Sequence, residues 1–267
     1  MRSPAAADRF YPADEDEVRA DIEACFRAGP GLPGTRSSER STKAVVVPHA
    51  GYMYSGICAS YAFKALAEEA RPEAYVIIGP DHYGNGYALS TCTEEYWTPF
   101  GECEFAWDVA APLLETIPDV PEAHSREHSV EVELPFLKYI DPDAKIIPII
   151  MGDQRRFAAE ELAAMLRVIA EAHDVVVIAS SDLVHYVPRN YAEEMDSRFL
   201  GHVKGLDVDA MYSCVRVNRL SVCGYGPIAT AILTTSPEHA DILCQTDSSV
   251  ASGDTDAVVG YGSVRMF

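Results

Sequence analysis

Val45-Val46-Val47-Pro48-His49-Ala50-Gly51-Tyr52 sets a short β-branched run directly against a histidine in a glycine-containing turn. Two further stretches repeat the arrangement. Tyr75-Val76-Ile77-Ile78 runs into Gly79-Pro80-Asp81-His82, and Val175-Val176-Val177-Ile178 runs into Ser180-Ser181-Asp182 and then His185. Runs that are apolar at every position, rather than at alternate ones, read as strands buried on both faces, as in a parallel sheet. In an open α/β sheet, ligands gather beyond the carboxyl ends of the strands. Three strands therefore deliver a histidine to one edge.

Outward from these runs, helical and extended patterns alternate. Asp14 opens a helix, with Glu17 completing a capping box. Val18, Ile22, Cys25 and Phe26 follow at helical spacing, and Gly29-Pro30 stops the run. Residues 29–42, rich in Gly, Pro, Ser and Arg, predict a flexible loop. Residues 55–70, 108–116, 128–139, 155–172, 191–205, 209–215 and 227–233 read as helices. Residues 84–107 read as irregular strands and turns. Residues 144–150 form a strand that Pro148 interrupts, and a missing ladder donor predicts an edge position. Residues 240–245 and 256–266 suit a closing hairpin. The pattern predicts a single α/β domain over 1–267, with a mixed, mostly parallel β-sheet flanked by helices.

Composition narrows the function. The 267 residues carry a net charge of -20, with 41 acidic against 21 basic side chains. A nucleic-acid backbone or an anionic membrane needs a basic footprint, so neither is expected as a partner. No apolar stretch approaches the roughly 20 residues that span a bilayer. The first residues turn acidic without the apolar core of a signal peptide, so a soluble, cytoplasmic chain is expected. The seven cysteines are scattered, with no CxxC pair, which argues against a disulfide framework or a structural zinc knuckle.

Several polar residues are candidates for chemistry. His49 and His82, at the ends of neighbouring strands, can meet at one ion, since neutral imidazole is the commonest metal ligand. Each can equally cap a helix or bond a carbonyl. Asp81 orients such a ligand or caps a turn. Asp182 and His185 are three apart, so one helical turn would pair them, as a general base needs; alternatively Asp182 is a helix cap. In Glu127-His128-Ser129-Val130-Glu131, a helix would turn His128 and Glu131 the same way, whereas Glu127, Glu131 and Glu133 together suit a solvated face. Cys223, in Cys223-Gly224-Tyr225-Gly226-Pro227, is either a ligand whose thiol a metal would acidify or an ordinary buried thiol. Tyr52, Tyr54, Tyr186 and Tyr225 wall a pocket for a flat ligand or simply pack. No phosphate-binding glycine loop, nucleophile elbow or HExxH is present.

Six blocks then resemble one family in order along nearly the whole chain. They are Pro48-His49-Ala50-Gly51-Tyr52-Met53-Tyr54-Ser55-Gly56, Gly79-Pro80-Asp81-His82, Thr98-Pro99-Phe100-Gly101, Glu127 to Glu131 through Leu134-Pro135-Phe136-Leu137, Ser180-Ser181-Asp182 with His185-Tyr186, and Cys223-Gly224 with Pro227. They resemble the Memo family, also known as system protein B of the AMMECR-Memo-radical SAM trio. The third block departs from the family's TPLG in having Phe100 for Leu.

The resemblance implies a fold similar to the class III, LigB-type extradiol dioxygenases. It implies metal ligands His49, His82 and Cys223, with His185 in the acid/base position and Asp182 and His128 lining the pocket. Where those dioxygenases have a glutamate ligand, Cys223 offers a softer thiolate, which suits Fe(II) or Cu, with zinc possible in purified protein. The expected function is a metal-dependent oxidoreductase with a dioxygenase-like pocket. The alternatives are a non-catalytic module whose cleft holds a small molecule, a peptide or a protein partner, among them an AMMECR-like protein and a radical SAM enzyme, and a metal-assisted hydrolase or nucleophilic-cysteine enzyme.

Overall fold

Strands that are apolar at every position must bury both faces, and four of them do so side by side. In the computed structural model, which describes residues 1–85 and 87–267, these are β1 (Ala44–Val47), β2 (Ala74–Pro80), β5 (Lys145–Met151) and β6 (Val175–Ser180). They run parallel in the order β5-β2-β6-β1, with Val45 against Ile178 and Ile77 against both Ile178 and Pro148. Further strands, most of them antiparallel to their neighbours, finish the sheet. β3 (Leu89–Thr91) and β4 (Glu104–Phe105) line the outer side of β5, β4 in the parallel sense. On the other flank β9 (Val258–Met266) pairs with β1, and β7 (His185–Val187) and β8 (Ala240–Asp247) pair with β9. The tail is therefore the expected hairpin, inserted into the sheet.

Ten helices among the described residues cover the two faces. In chain order they are α1 (Glu15–Ala28), α2 (Tyr52–Ala67), α3 (Trp107–Leu114), α4 (Pro121–His124), α5 (Glu133–Ile140), α6 (Arg156–Ala172), α7 (Arg189–Lys204), α8 (Val208–Asn218), α9 (Tyr225–Thr235) and α10 (Ser249–Ser252). Alternate strand residues feed two separate cores, because successive side chains point to opposite faces. Val45, Val47, Tyr75 and Ile77 meet α1, α2 and α5, whereas Ala44, Val46, Val76 and Ile78 meet α3, α6, α7, α8 and α9. The Asp14 carboxylate accepts from the Asp16 and Glu17 N–H groups, so α1 starts where its cap predicts. No helix among the described residues is long and apolar enough to cross a membrane.

Three expectations change. β5 is interior, not an edge strand. Its outer side meets β4 at residues 145 and 146 and β3 at residues 149 to 151, leaving a gap at Pro148. The Pro148 carbonyl faces that gap and accepts from the Thr91 hydroxyl at 2.8 Å, so its missing N–H costs no ladder bond. The helix expected over 128–139 begins only at Glu133, and residues 129–132 form a turn. The segment 29–42 has no regular structure but is tied down: Lys64 donates to Pro30 O, the Gly34 N–H to Glu68, and Arg36 to both Glu69 O and Ile140 O.

Candidate metal centre

The carboxyl ends of β1 and β6 and the turn before α9 meet at one point. His49, one residue beyond the Pro48 that follows β1, is buried, 1% exposed. Its Nδ1 lies 2.7 Å from Ser180 Oγ at the end of β6. Ser180 has one hydroxyl proton, and the Ser129 carbonyl, which can only accept, takes it at 2.6 Å. His49 Nδ1 is therefore the donor to Ser180. That leaves the Nε2 lone pair facing Cys223 Sγ at 3.3 Å. Burial and three neighbouring histidines push the His49 pKa well down, so its ring is neutral. Burial likewise pushes the Cys223 thiol well up. The pair without metal is a thiol donating to a neutral imidazole.

Asp182 locks both partners. Its carboxylate accepts from the His49 N–H at 2.9 Å, and its own N–H points at Cys223 Sγ at 3.1 Å. Desolvation raises its pKa to about 7. The expected pairing of Asp182 with His185 on one helical turn does not form. Residues 181–184 form no helix, and His185 opens β7 instead. Its Nδ1 lies 2.9 Å from the Ser221 carbonyl, which can only accept, so Nε2 carries the lone pair. Burial lowers the His185 pKa. The result is a neutral base oriented by a backbone carbonyl.

His82, beyond β2, is the accessible member, with 27% of its side chain exposed. Glu127 holds it twice, taking its ring Nδ1 at 2.8 Å on Oε1 and its N–H at 2.8 Å on Oε2. Glu127 Oε1 also accepts from the His128 and Ser129 N–H groups. Those donors and the imidazole hold the Glu127 pKa down at about 2, against the pull of burial. Asp81 instead caps the following loop through the N–H groups of Tyr83, Gly84 and Asn85. His128 stacks on His82 with centroids 4.5 Å apart and meets His49 edge-on at 5.4 Å. Burial lowers its pKa to about 4.

One ligand atom from each of His49, His82 and Cys223 lies within 4.8 Å of the others. Donors about 2.0–2.3 Å from a common ion stand roughly 3–4 Å apart, so side-chain adjustments close the set. The donor chemistry fits a soft transition ion. A second group, His82, Glu127 and His128, satisfies the same distance test. Its hydrogen bonding makes it a support rather than a second centre, because three donors already occupy Glu127 Oε1.

The expectation of a solvated acidic face at Glu127, Glu131 and Glu133 is wrong: all three are buried. Glu131 accepts from the Ala5 and Ala6 N–H groups and the Tyr11 hydroxyl and pairs with Arg2 at 2.6 Å. Arg2 also donates to Glu127 O and His124 O, so the N-terminal segment straps the Glu127 turn in place. Glu133 sits 2.9 Å from Ser180 Oγ, its pKa raised by burial, behind His49. Sequence reasoning missed Glu127, Ser180, Glu133 and Arg2 as supports, and only the His-Glu adjacency at 127–128 hinted at any of them. Of the tyrosines, Tyr52 packs, donating to Val132 O, and Tyr225 packs edge-on against Tyr212. Tyr54 and Tyr186 are exposed.

Comparison with known proteins shows the family. The family described as "Memo-like protein" matches residues 2–265. The chain belongs to the Memo-like family. It is 39% identical over 276 residues to a MEMO1 family protein of Methanopyrus kandleri, covering 98% of each chain. It is 38% identical over 272 residues to one of Methanosarcina barkeri, covering 99% of each. A third relative, from Thermotoga maritima, is 37% identical, covering 100% of this chain and 99% of its own. Among solved structures, an uncharacterized protein of Escherichia coli K12 superposes with a TM-score of 0.55 at 14% identity, over 85% of this chain and 100% of that one. That likeness supports the fold of this Memo-like chain.

Proposed function

We propose that this Memo-like protein binds one Fe(II) or Cu ion between His49 Nε2, His82 Nε2 and Cys223 Sγ and acts as a metal-dependent oxidoreductase. The observation that carries the reading is the convergence of two imidazoles and a thiol, from three separate segments, on one point. Bound there, such an ion would supply one-electron or O2 chemistry beside a softer ligand than carboxylate.

The chain's own groups prepare that chemistry. Ser180 and Glu127 engage Nδ1 of His49 and of His82, which leaves Nε2 of each ring for an ion. Asp182 holds the His49 backbone and the Cys223 sulfur together. His185, neutral and with a free Nε2, is placed to take a proton from a substrate. Asp182, with a pKa near 7, holds or releases a proton around neutrality. His128 stacks on His82, and the Phe10 ring packs against His128 at 4.7 Å with a 35° tilt. The exposure of His82 against the burial of His49 supports a substrate approach from the His82 side.

Anaerobic titration with Fe(II) or Cu(I), together with elemental analysis of protein purified without chelator, tests the reading. One ion per chain is expected, lost in both His49→Ala and Cys223→Ser. Unchanged metal content in those two variants would end it.

A further inference from the structure

Three of the four central parallel strands deliver a pocket residue at the carboxyl end: β1 delivers His49, β2 His82 and β6 Asp182. The fourth, β5, ends at Met151 and leads through Gly152 and Asp153 to Gln154. The Gln154 side-chain Nε2 donates to the Cys223 carbonyl at 2.7 Å, and its Oε1 accepts from the Gly226 N–H at 2.9 Å. One amide thus bridges both ends of the Cys223-Gly224-Tyr225-Gly226 turn. Its backbone is held in turn, because the Tyr212 hydroxyl donates to Gln154 O at 2.8 Å.

We propose that Gln154 is a positioning residue that holds the Cys223 sulfur against His49 Nε2. The clamp itself is independent of any metal, and its consequence for metal affinity rests on the proposed function above. The two partners set the chemistry it needs. A backbone carbonyl only accepts and a backbone N–H only donates, so the clamp requires a donor and an acceptor side by side. Glutamine supplies both, whereas a carboxylate would turn an acceptor toward the Cys223 carbonyl.

Packing shows why the turn depends on the clamp. A Cβ at Gly226 would lie 2.8 Å from Gln154 Cβ and 2.9 Å from Met151 Sδ, so the turn lies flat on Gln154. On the opposite side, a Cβ at Gly224 would lie 2.5 Å from Ser180 O and 2.6 Å from Ser181 Cβ. The Gly224 N–H donates to Ser181 Oγ at 2.9 Å. The turn is held between β6 and Gln154, and loss of the amide frees one side only. Cys223, still bonded to Asp182 from the β6 side, then becomes mobile against His49 while the rest of the site stays in place.

Two measurements test this on the full chain. The first uses metal-free protein: the rate of iodoacetamide alkylation at Cys223, read by peptide mass spectrometry with buried Cys58 and Cys103 as internal standards. Gln154→Glu, which keeps the size, and Gln154→Ala are both expected to raise the Cys223 rate at least fivefold with the standards unchanged. A rate within twofold of wild type in both variants overturns the proposal, and so does a parallel rise at Cys58 and Cys103, which would mean general loosening. The second is Co(II) titration, in which either variant is expected to weaken binding about 10- to 100-fold and to shrink the thiolate-to-cobalt absorption. Wild-type affinity and absorption in both variants also overturn it. Failure of wild-type protein to bind Co(II) would remove this second readout and leave the alkylation result to decide the clamp.

Discussion

His49 Nε2 stands 3.3 Å from Cys223 Sγ across 174 positions of sequence, with no backbone hydrogen bond between the two residues. Asp182 bridges them instead, accepting from one backbone and donating to the other's sulfur. Replacing Cys223 by Ser keeps the size and removes the soft donor. The expected outcome is a loss of Cu(I) affinity of more than 100-fold, with a smaller loss for Fe(II), because a hydroxyl is a poor partner for a soft ion. Competition titration with a chromophoric chelator measures both. Equal losses for the two ions would show that sulfur does not set the preference.

Glu127 ties the His82 ring and backbone to the turn that carries His128. Glu127→Gln keeps the shape but turns one acceptor into a donor. The His82 ring then loses its charge-assisted bond, and metal affinity is expected to fall about 10- to 100-fold. His82→Ala should cost more, and combining the two should add little beyond His82→Ala, since both act through one ring. Additive losses in a double-mutant cycle would separate Glu127 from His82.

The strands and the two histidines were legible for one shared reason, whereas Cys223 was singled out only by the family resemblance. Val45 to Val47 and Val175 to Ile178 are apolar at every position, which only a two-faced burial explains, and carboxyl-end placement then put His49, His82 and Asp182 on one edge. The supports were not legible because their signal is three-dimensional. Glu127, Glu131 and Glu133 look like a solvated face in sequence, since nothing local shows that Arg2, Tyr11 and Ser180 reach them across more than 40 positions. His128 and Glu131 did not share a helix face because the carboxylate of Glu127 draws the His128 and Ser129 N–H groups into a turn. His185 took its orientation from the Ser221 carbonyl rather than from the nearer acid in sequence.

The Arg2 guanidinium and Glu131 carboxylate are 3% and 0% exposed, 2.6 Å apart, so each depends on the other for its charge. Removing one partner of such a pair typically costs about 3–5 kcal/mol, because the remaining charge is left buried alone. Arg2→Ala is therefore expected to destabilise the fold by about that much in urea unfolding. It should also loosen the turn at Glu127, whose carbonyl Arg2 holds at 2.7 Å, and so lower metal affinity. Arg2→Lys should recover part of the stability but not the three-way bonding to Glu131, Glu127 O and His124 O. A change under 1 kcal/mol in Arg2→Ala would show that the strap contributes little.

Asp196, on α7, is 2% exposed and accepts from the Val184 N–H at 3.1 Å. Burial, with the nearby Asp247 carboxylate adding to it, raises its pKa to about 7, against about 3.9 in the unfolded chain. The folded state thus binds this proton more tightly than the unfolded state does. The stability it contributes is full below pH 4 and is lost as pH rises through about 7. Three pH units of difference correspond to a loss on the order of 4 kcal/mol between pH 4 and pH 8. Asp182, raised in the same direction, adds to the wild-type slope. Asp196→Asn retains an oxygen for the Val184 N–H and removes the titration. Unfolding measured at pH 5 and pH 8 should show wild type losing stability on the alkaline side, and Asp196→Asn losing distinctly less. Parallel pH profiles for the two proteins would mean that Asp196 is ionised in the fold, with its charge satisfied by the Val184 amide.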